Sequence, residues 1–251
     1  MLVGIHMPNY DELTPTDWAQ IERIRPSIVS TMQAHHGREV YERLEALCRP
    51  VYLVRVGAGV QDEAGARADV ERAIESVPQR ALREGRAYFR IGNEPNHEGW
   101  TPEQYVAVLS YCVGYGNEIG VQIMAANLCL NEGWQDYLRA IAPAVQACDA
   151  IGLSLYHDDA SDPARWLAEY APFGKPLYAV EWNSATYRGD ERTDWFRWSG
   201  RILAPIMAGV TTYLVGGTDD WADYRLTQVE AEGLAGVVAE NTLRPFAGVR
   251  G

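Results

Sequence analysis

Residues 87–95 read AYFRIGNEP, an apolar run that ends abruptly in Gly, Asn, Glu and Pro. The run is largely apolar on both faces, which is how a strand buried on both sides of a parallel sheet reads. Pro95 cannot donate to a strand ladder, so pairing stops there and the chain presents Glu94 just before it. Seven runs of the same kind surround this one: LVGIHMP (2–8), SIVSTMQ (27–33), VYLVRVGA (51–58), VQIMAANL (121–128), AIGLSLYH (150–157), PLYAVEW (176–182) and VTTYLVGG (210–217). Helix-period segments follow the runs, among them DWAQIERIR, EVYERLEALCR and VEAEGLAGVVAENTL. Helix starts are marked as well. Thr101-Pro102-Glu103-Gln104 and Thr227 with Glu230 read as capping boxes, and Asp162-Pro163 reads as a start before the sixth helix. Strict strand–helix alternation through eight units predicts right-handed crossovers and a (β/α)₈ barrel, the α/β class, spanning residues 1–251 as one domain. An open doubly wound sheet would carry a Gly-rich turn after its first strand, where this chain has HMPNYDEL.

Composition narrows the function. The chain has 251 residues with 34 acidic and 22 basic side chains, a net charge of −12. Such a balance argues against nucleic acid or an anionic membrane as partner, because either needs a basic surface. It suits a neutral ligand. No apolar run approaches the ~20 residues of a membrane span, so a soluble protein is expected, cytoplasmic or secreted as a mature form freed of its export signal. The four cysteines (Cys48, Cys112, Cys129, Cys148) show no CxxC spacing and are expected as buried thiols.

In a (β/α)₈ barrel the reacting groups sit at the carboxyl ends of the strands. Read off in order, these ends offer His6, Asn9, His35, His36, Arg55, Asn93, Glu94, Asn127, Tyr156, His157, Glu181, Asn183, Asp219, Asp220 and Trp221. So many polar groups must face a wet or ligand-filled cavity, since buried polar groups need partners. Glu94 and Glu181 close the fourth and seventh strands, on nearly opposite sides of the mouth. Glycoside hydrolysis needs such a pair: a protonated carboxyl releases the leaving oxygen while an ionised one attacks or activates water.

Gly92-Asn93-Glu94-Pro95-Asn96 together with Val180-Glu181-Trp182 resembles the retaining glycoside hydrolases of clan A. The resemblance implies Glu94 as general acid/base, Glu181 as nucleophile and Asn93 as donor to the sugar 2-hydroxyl, with no cofactor and no metal. It implies a β-linked oligo- or polysaccharide as substrate. The clan often carries a His on strand six where this chain has Tyr156, so either Tyr156 donates to Glu181 or His157 contacts sugar hydroxyls from the rim. Trp221 corresponds to the aromatic floor of the clan's −1 subsite. Arg55 either keeps Glu181 ionised or forms a buried ion pair. Arg90 reads as a structural Arg deeper in the barrel. His6, His35, Asn127 and Trp182 complete the expected substrate contacts, and Trp100 and Trp134 are either sugar platforms or packing residues. Short loops suggest an open groove and endo-action. Two other readings stay open: a non-catalytic carbohydrate-binding barrel, and a metal-dependent barrel enzyme using Glu94, Glu181, His157 and Asp219. Sequence does not bear on the oligomeric state.

Overall fold

The computed structural model describes residues 1–7, 13–31, 37–57, 59–159, 161–184, 186–213 and 226–242. In chain order it runs β1 (Leu2–Met7), α1 (Pro15–Ile24), β2 (Ile28–Thr31), α2 (Arg38–Leu47), β3 (Val51–Val56), α3 (Glu63–Ser76), α4 (Gln79–Arg83) and β4 (Ala87–Ile91). It continues α5 (Pro102–Ile119), β5 (Gln122–Ala125), α6 (Trp134–Ala147), β6 (Ala150–Tyr156), α7 (Ser161–Tyr170), β7 (Leu177–Asn183), α8 (Gly189–Leu203), β8 (Gly209–Tyr213) and α9 (Gln228–Thr242). Each strand pairs in parallel with the next, and β8 closes on β1 through Leu2–Gly209 to His6–Tyr213. The expected (β/α)₈ barrel is the fold.

Two apolar layers hold it together. Inward side chains of the strands, including Ile28, Leu53, Met124, Ala150, Tyr178 and Val180, fill the lower barrel. Outward ones such as Val3, Phe89, Ile151 and Trp182 pack beneath the helices with Tyr105, Ile141 and Phe196. Closure demands a tight approach at Gly4, where an added Cβ would lie 1.7 Å from the Ile28 carbonyl oxygen. Only Gly fits there.

Local signals place the helix starts. Thr101 and Gln104 form the expected capping box of α5, and Thr14 with Asp17 forms one at α1. At α7 the expected cap shifts: Asp162 lies inside the first turn, and Asp159 Oδ1 accepts the Ser161 amide at 2.6 Å. Strand ends shift too. The fourth strand stops at Ile91 rather than running on to Pro95, so Glu94 stands on a turn beyond it. The cysteines are free thiols as expected, with Cys112 and Cys148 buried but Cys48 and Cys129 only partly so. Among the described residues, no helix is long and apolar enough to cross a membrane.

Candidate active site

The aim of Glu181 depends on a break in strand alternation. Opposite β6, Leu153 pairs with Ala179 and the next residue, Ser154, pairs with Glu181. Val180 is therefore an extra residue, a β-bulge, and the side chains of Val180 and Glu181 fall on the same side of the strand. Without the bulge, the inward series Tyr178, Val180 would continue to Trp182 and turn Glu181 outward. Instead Trp182 faces the helices, where its ring packs on Trp195 and Phe196 and its Nε1 donates to Ser199 Oγ at 2.8 Å.

Glu94 is placed by a turn. Gly92 (φ 79°) and Glu94 (φ 43°) both take left-handed backbone, which is unusual for a Glu. The Glu94 amide donates to the Asn127 carbonyl at 2.9 Å, and the Glu94 carbonyl accepts from the amides of His97 and Glu98 at 2.7 and 2.9 Å. Asn96 braces the same turn against the chain beyond β5: its Nδ2 donates to the Cys129 carbonyl at 2.8 Å and its Oδ1 accepts the Cys129 amide at 2.9 Å. A strained residue held by this many bonds marks a position that the fold over-determines.

Each carboxylate has its own hydroxyl donor on β6. Ser154 Oγ donates to Glu94 Oε1 at 3.1 Å, and Tyr156 Oη donates to Glu181 Oε2 at 3.1 Å. Behind Ser154, Asn127 Nδ2 donates to Ser154 Oγ at 2.7 Å. The fully buried Arg90 donates to Asn127 Oδ1 and, at 2.9 Å, to Asn93 Oδ1. Arg55 lies under Glu98, its Nη2 2.9 Å from Glu98 Oε1.

These surroundings set the protonation. Burial, seconded by the charge of Glu94, pushes Glu181 up to about 7 against the opposing pull of Arg90, Tyr156 and Arg55. Burial also raises Glu94, opposed by the Ser154 hydrogen bond, His97 and Arg90. The charge of Glu94 thus adds to burial in favouring the protonated form of Glu181.

Several expected contacts lie elsewhere. Trp182 is fully buried beneath α8 and cannot stack on a sugar. His157 is buried against the same helix: Nδ1 donates to the Asp159 carbonyl at 3.0 Å, so Nε2 accepts from Ser199 Oγ at 2.9 Å. Neither nitrogen faces the mouth. Asn127 is fully buried with both ends of its amide bonded inside the protein, which makes it a prop for Ser154 rather than a ligand contact. His6 is fully buried below the mouth, its Nδ1 2.9 Å from the Val180 carbonyl. Trp100 packs edge-on against Tyr105 and Trp134 stacks on Tyr170, so both are packing residues. Asn9, His35, His36, Asp219, Asp220 and Trp221 lie outside the described residues.

The residues that sequence reasoning left without a role are Ser154, Asn96 and Glu98. Ser154 was within reach, since it precedes Tyr156 by two on one face of a strand. Asn96 and Glu98 act across loops, and nothing in their spacing points to Cys129 or Arg55.

No family model and no curated protein matches the sequence. Solved structures do match in fold. A GH128 (subgroup II) endo-β-1,3-glucanase from Sorangium cellulosum superposes with TM-score 0.68 at 16% identity, covering 95% of this chain and 98% of that one. Saccharomyces cerevisiae Gas2p, as a mutant in complex with laminaritetraose and laminaripentaose, gives TM-score 0.67 at 11% identity over 95% of this chain and 63% of that one. The endo-β-1,4-mannanase from Thermotoga petrophila gives 0.61 at 10% identity over 100% and 78%. The chain therefore shares the (β/α)₈ fold of these proteins.

Proposed function

We propose that the chain is a retaining glycoside hydrolase acting on a β-linked glucan, with Glu181 as nucleophile and Glu94 as general acid/base. The observation that carries this reading is the coupled pair of carboxyls at the barrel mouth, each held by its own hydroxyl from β6. Glu181 attacks the anomeric carbon while Glu94 gives its proton to the departing glycosidic oxygen. Glu94, now ionised, takes a proton from water as that water displaces Glu181 from the anomeric carbon. In the free site burial bears harder on Glu181. Positive charge developing at the anomeric centre beside Glu181 favours its ionised form, while burial keeps the Glu94 carboxyl protonated.

The other groups support these roles. Arg90 occupies Asn93 Oδ1 and so leaves the Asn93 amide NH₂ to donate to a sugar 2-hydroxyl. Tyr156 steadies the nucleophile. The fold likeness to two β-1,3-glucan-related proteins and a mannanase makes β-1,3-glucan the first substrate to try, with β-1,4-mannan second. A metal-dependent reaction at this site has less support, because His157, its needed imidazole, spends both nitrogens on Asp159 and Ser199.

The test is intact mass spectrometry after exposure to 2-fluoro β-glycosides. One covalent adduct mapped to Glu181 is expected. Labelling at another residue would reverse the assigned roles, and binding of β-glucan with neither adduct nor hydrolysis would mean a carbohydrate-binding barrel.

A further inference from the structure

The bulge that turns Glu181 inward leaves a backbone carbonyl, that of Val180, out of step with the β6 ladder. Buried carbonyls need donors. Among the described residues it has two, both from side chains. Thr211 Oγ1 on β8 donates at 2.7 Å, with the Ala179 carbonyl a longer acceptor of the same hydroxyl at 3.2 Å, and His6 Nδ1 on β1 approaches at 2.9 Å. A carbonyl only accepts, so His6 carries its proton on Nδ1 here. Ser30 Oγ on β2, 3.2 Å from the same nitrogen, shares that proton and fixes the ring. His6, Ser30 and Thr211 are all fully buried.

Thr211 and His6 thus act from neighbouring strands on the one peptide group that sets whether Glu181 faces the mouth or the helices. The geometry points to Thr211 and His6 as positioning residues for the nucleophile, holding the bulge through the Val180 carbonyl. They touch no substrate. Their effect passes through the backbone of Val180 to the next residue, Glu181. This rests on the proposed role of Glu181, and it adds what keeps that carboxylate in place.

Thr211→Val removes the hydroxyl in nearly the same shape, and Thr211→Ser keeps it. His6→Leu removes the Nδ1 donor, while His6→Asn places an amide NH₂ near the same point. The readout is the rate at which a 2,4-dinitrophenyl 2-fluoro-β-glucoside labels Glu181, because this leaving group departs without help from Glu94. A nucleophile displaced by a fraction of an ångström should lose rate while substrate affinity stays within about twofold. Thr211→Val and His6→Leu are expected to label ~10- to 100-fold more slowly. Thr211→Ser and His6→Asn should recover most of the rate, which general loss of packing would not explain. Near-ultraviolet circular dichroism of the Trp182–Trp195 cluster checks that the barrel remains folded. Should one donor variant fail that check, the other carries the same test. Wild-type rates in the donor-less variants, with Glu181 labelled in the wild type, would remove this inference alone. A wild type not labelled at Glu181 would remove the proposed role of Glu181 and this inference together.

Discussion

Ser154 and Tyr156 stand two residues apart on the inward face of β6, and each holds one carboxyl, Ser154 that of Glu94 and Tyr156 that of Glu181. One strand therefore holds both carboxyls on which the proposed mechanism rests. The pairing also tunes them, because each hydroxyl donates to the ionised form of its own partner and lowers that partner's pKa.

Removing the donors should move the pH profile in a defined direction. With Tyr156→Phe, Glu181 rises beyond about 7, its ionised fraction near neutrality drops, and the kcat/KM profile shifts to higher pH. With Ser154→Ala, Glu94 keeps its proton to higher pH and the profile again shifts up. Each loss of a hydrogen bond to a charged group should slow turnover about 10- to 100-fold. Profiles that stay fixed in both variants would show that these hydroxyls do not tune the pair.

The acid role of Glu94 has a separate signature. Glu94→Ala should slow substrates with poor leaving groups far more than activated aryl glycosides, since only the former need a proton in the first step. Measuring kcat/KM across a leaving-group series reads this directly, and equal slowing throughout would contradict it.

Burying Glu181 costs stability. Its folded value of about 7 lies above the reference value of 4.5, so the folded protein binds this proton more tightly than the unfolded chain. The sign follows: the contribution is fully favourable below about pH 4.5 and is lost as pH rises through about 7. Glu181→Gln removes the penalty. The variant is expected to match the wild type near pH 4 and to exceed it above pH 7 by an amount on the order of 3 kcal/mol. Urea melts of both proteins across that range test this, and a constant difference would contradict it.

Away from the mouth, one buried ion pair ties α8 to α9. Glu230 accepts from Arg192 Nη2 at 3.2 Å, from the Gly189 amide at 2.8 Å and from the Thr227 amide at 2.7 Å, and Arg192 Nε lies 2.9 Å from its Oε1, with Arg192 and Glu230 both buried. Glu230→Ala takes the carboxylate from a buried guanidinium and uncaps α9. A loss of about 3–5 kcal/mol is expected, seen as a Tm lower by ~10 °C. A change under ~2 °C would mean that water replaces the carboxylate.

The eight strands were legible because a strand buried on both faces must be apolar throughout, and segments such as 51–58 and 150–157 contrast sharply with the helices that follow them. Glu94 could be found because Asn-Glu-Pro follows the fourth apolar segment, although the strand itself stops at Ile91 and a turn presents the residue. Trp182 and His157 misled for one reason: a residue at a strand end is equally exposed to the eye whether it turns inward or outward, and only alternation distinguishes the two.

Alternation fails at Val180. The sequence alone pointed to eight apolar segments that pair in parallel and close, since each is followed by a helix and the first lacks the Gly-rich turn of an open sheet, and it put two acids at the ends of two of them. Which way the seventh strand's acid points was decided by contacts that exist only after closure. The extra residue at Val180, accommodated where Thr211 and His6 from strands distant in the chain meet its carbonyl, sends Glu181 inward and Trp182 beneath α8. A one-residue slip inverts every side chain beyond it, and no local pattern in Tyr178–Trp182 records that slip.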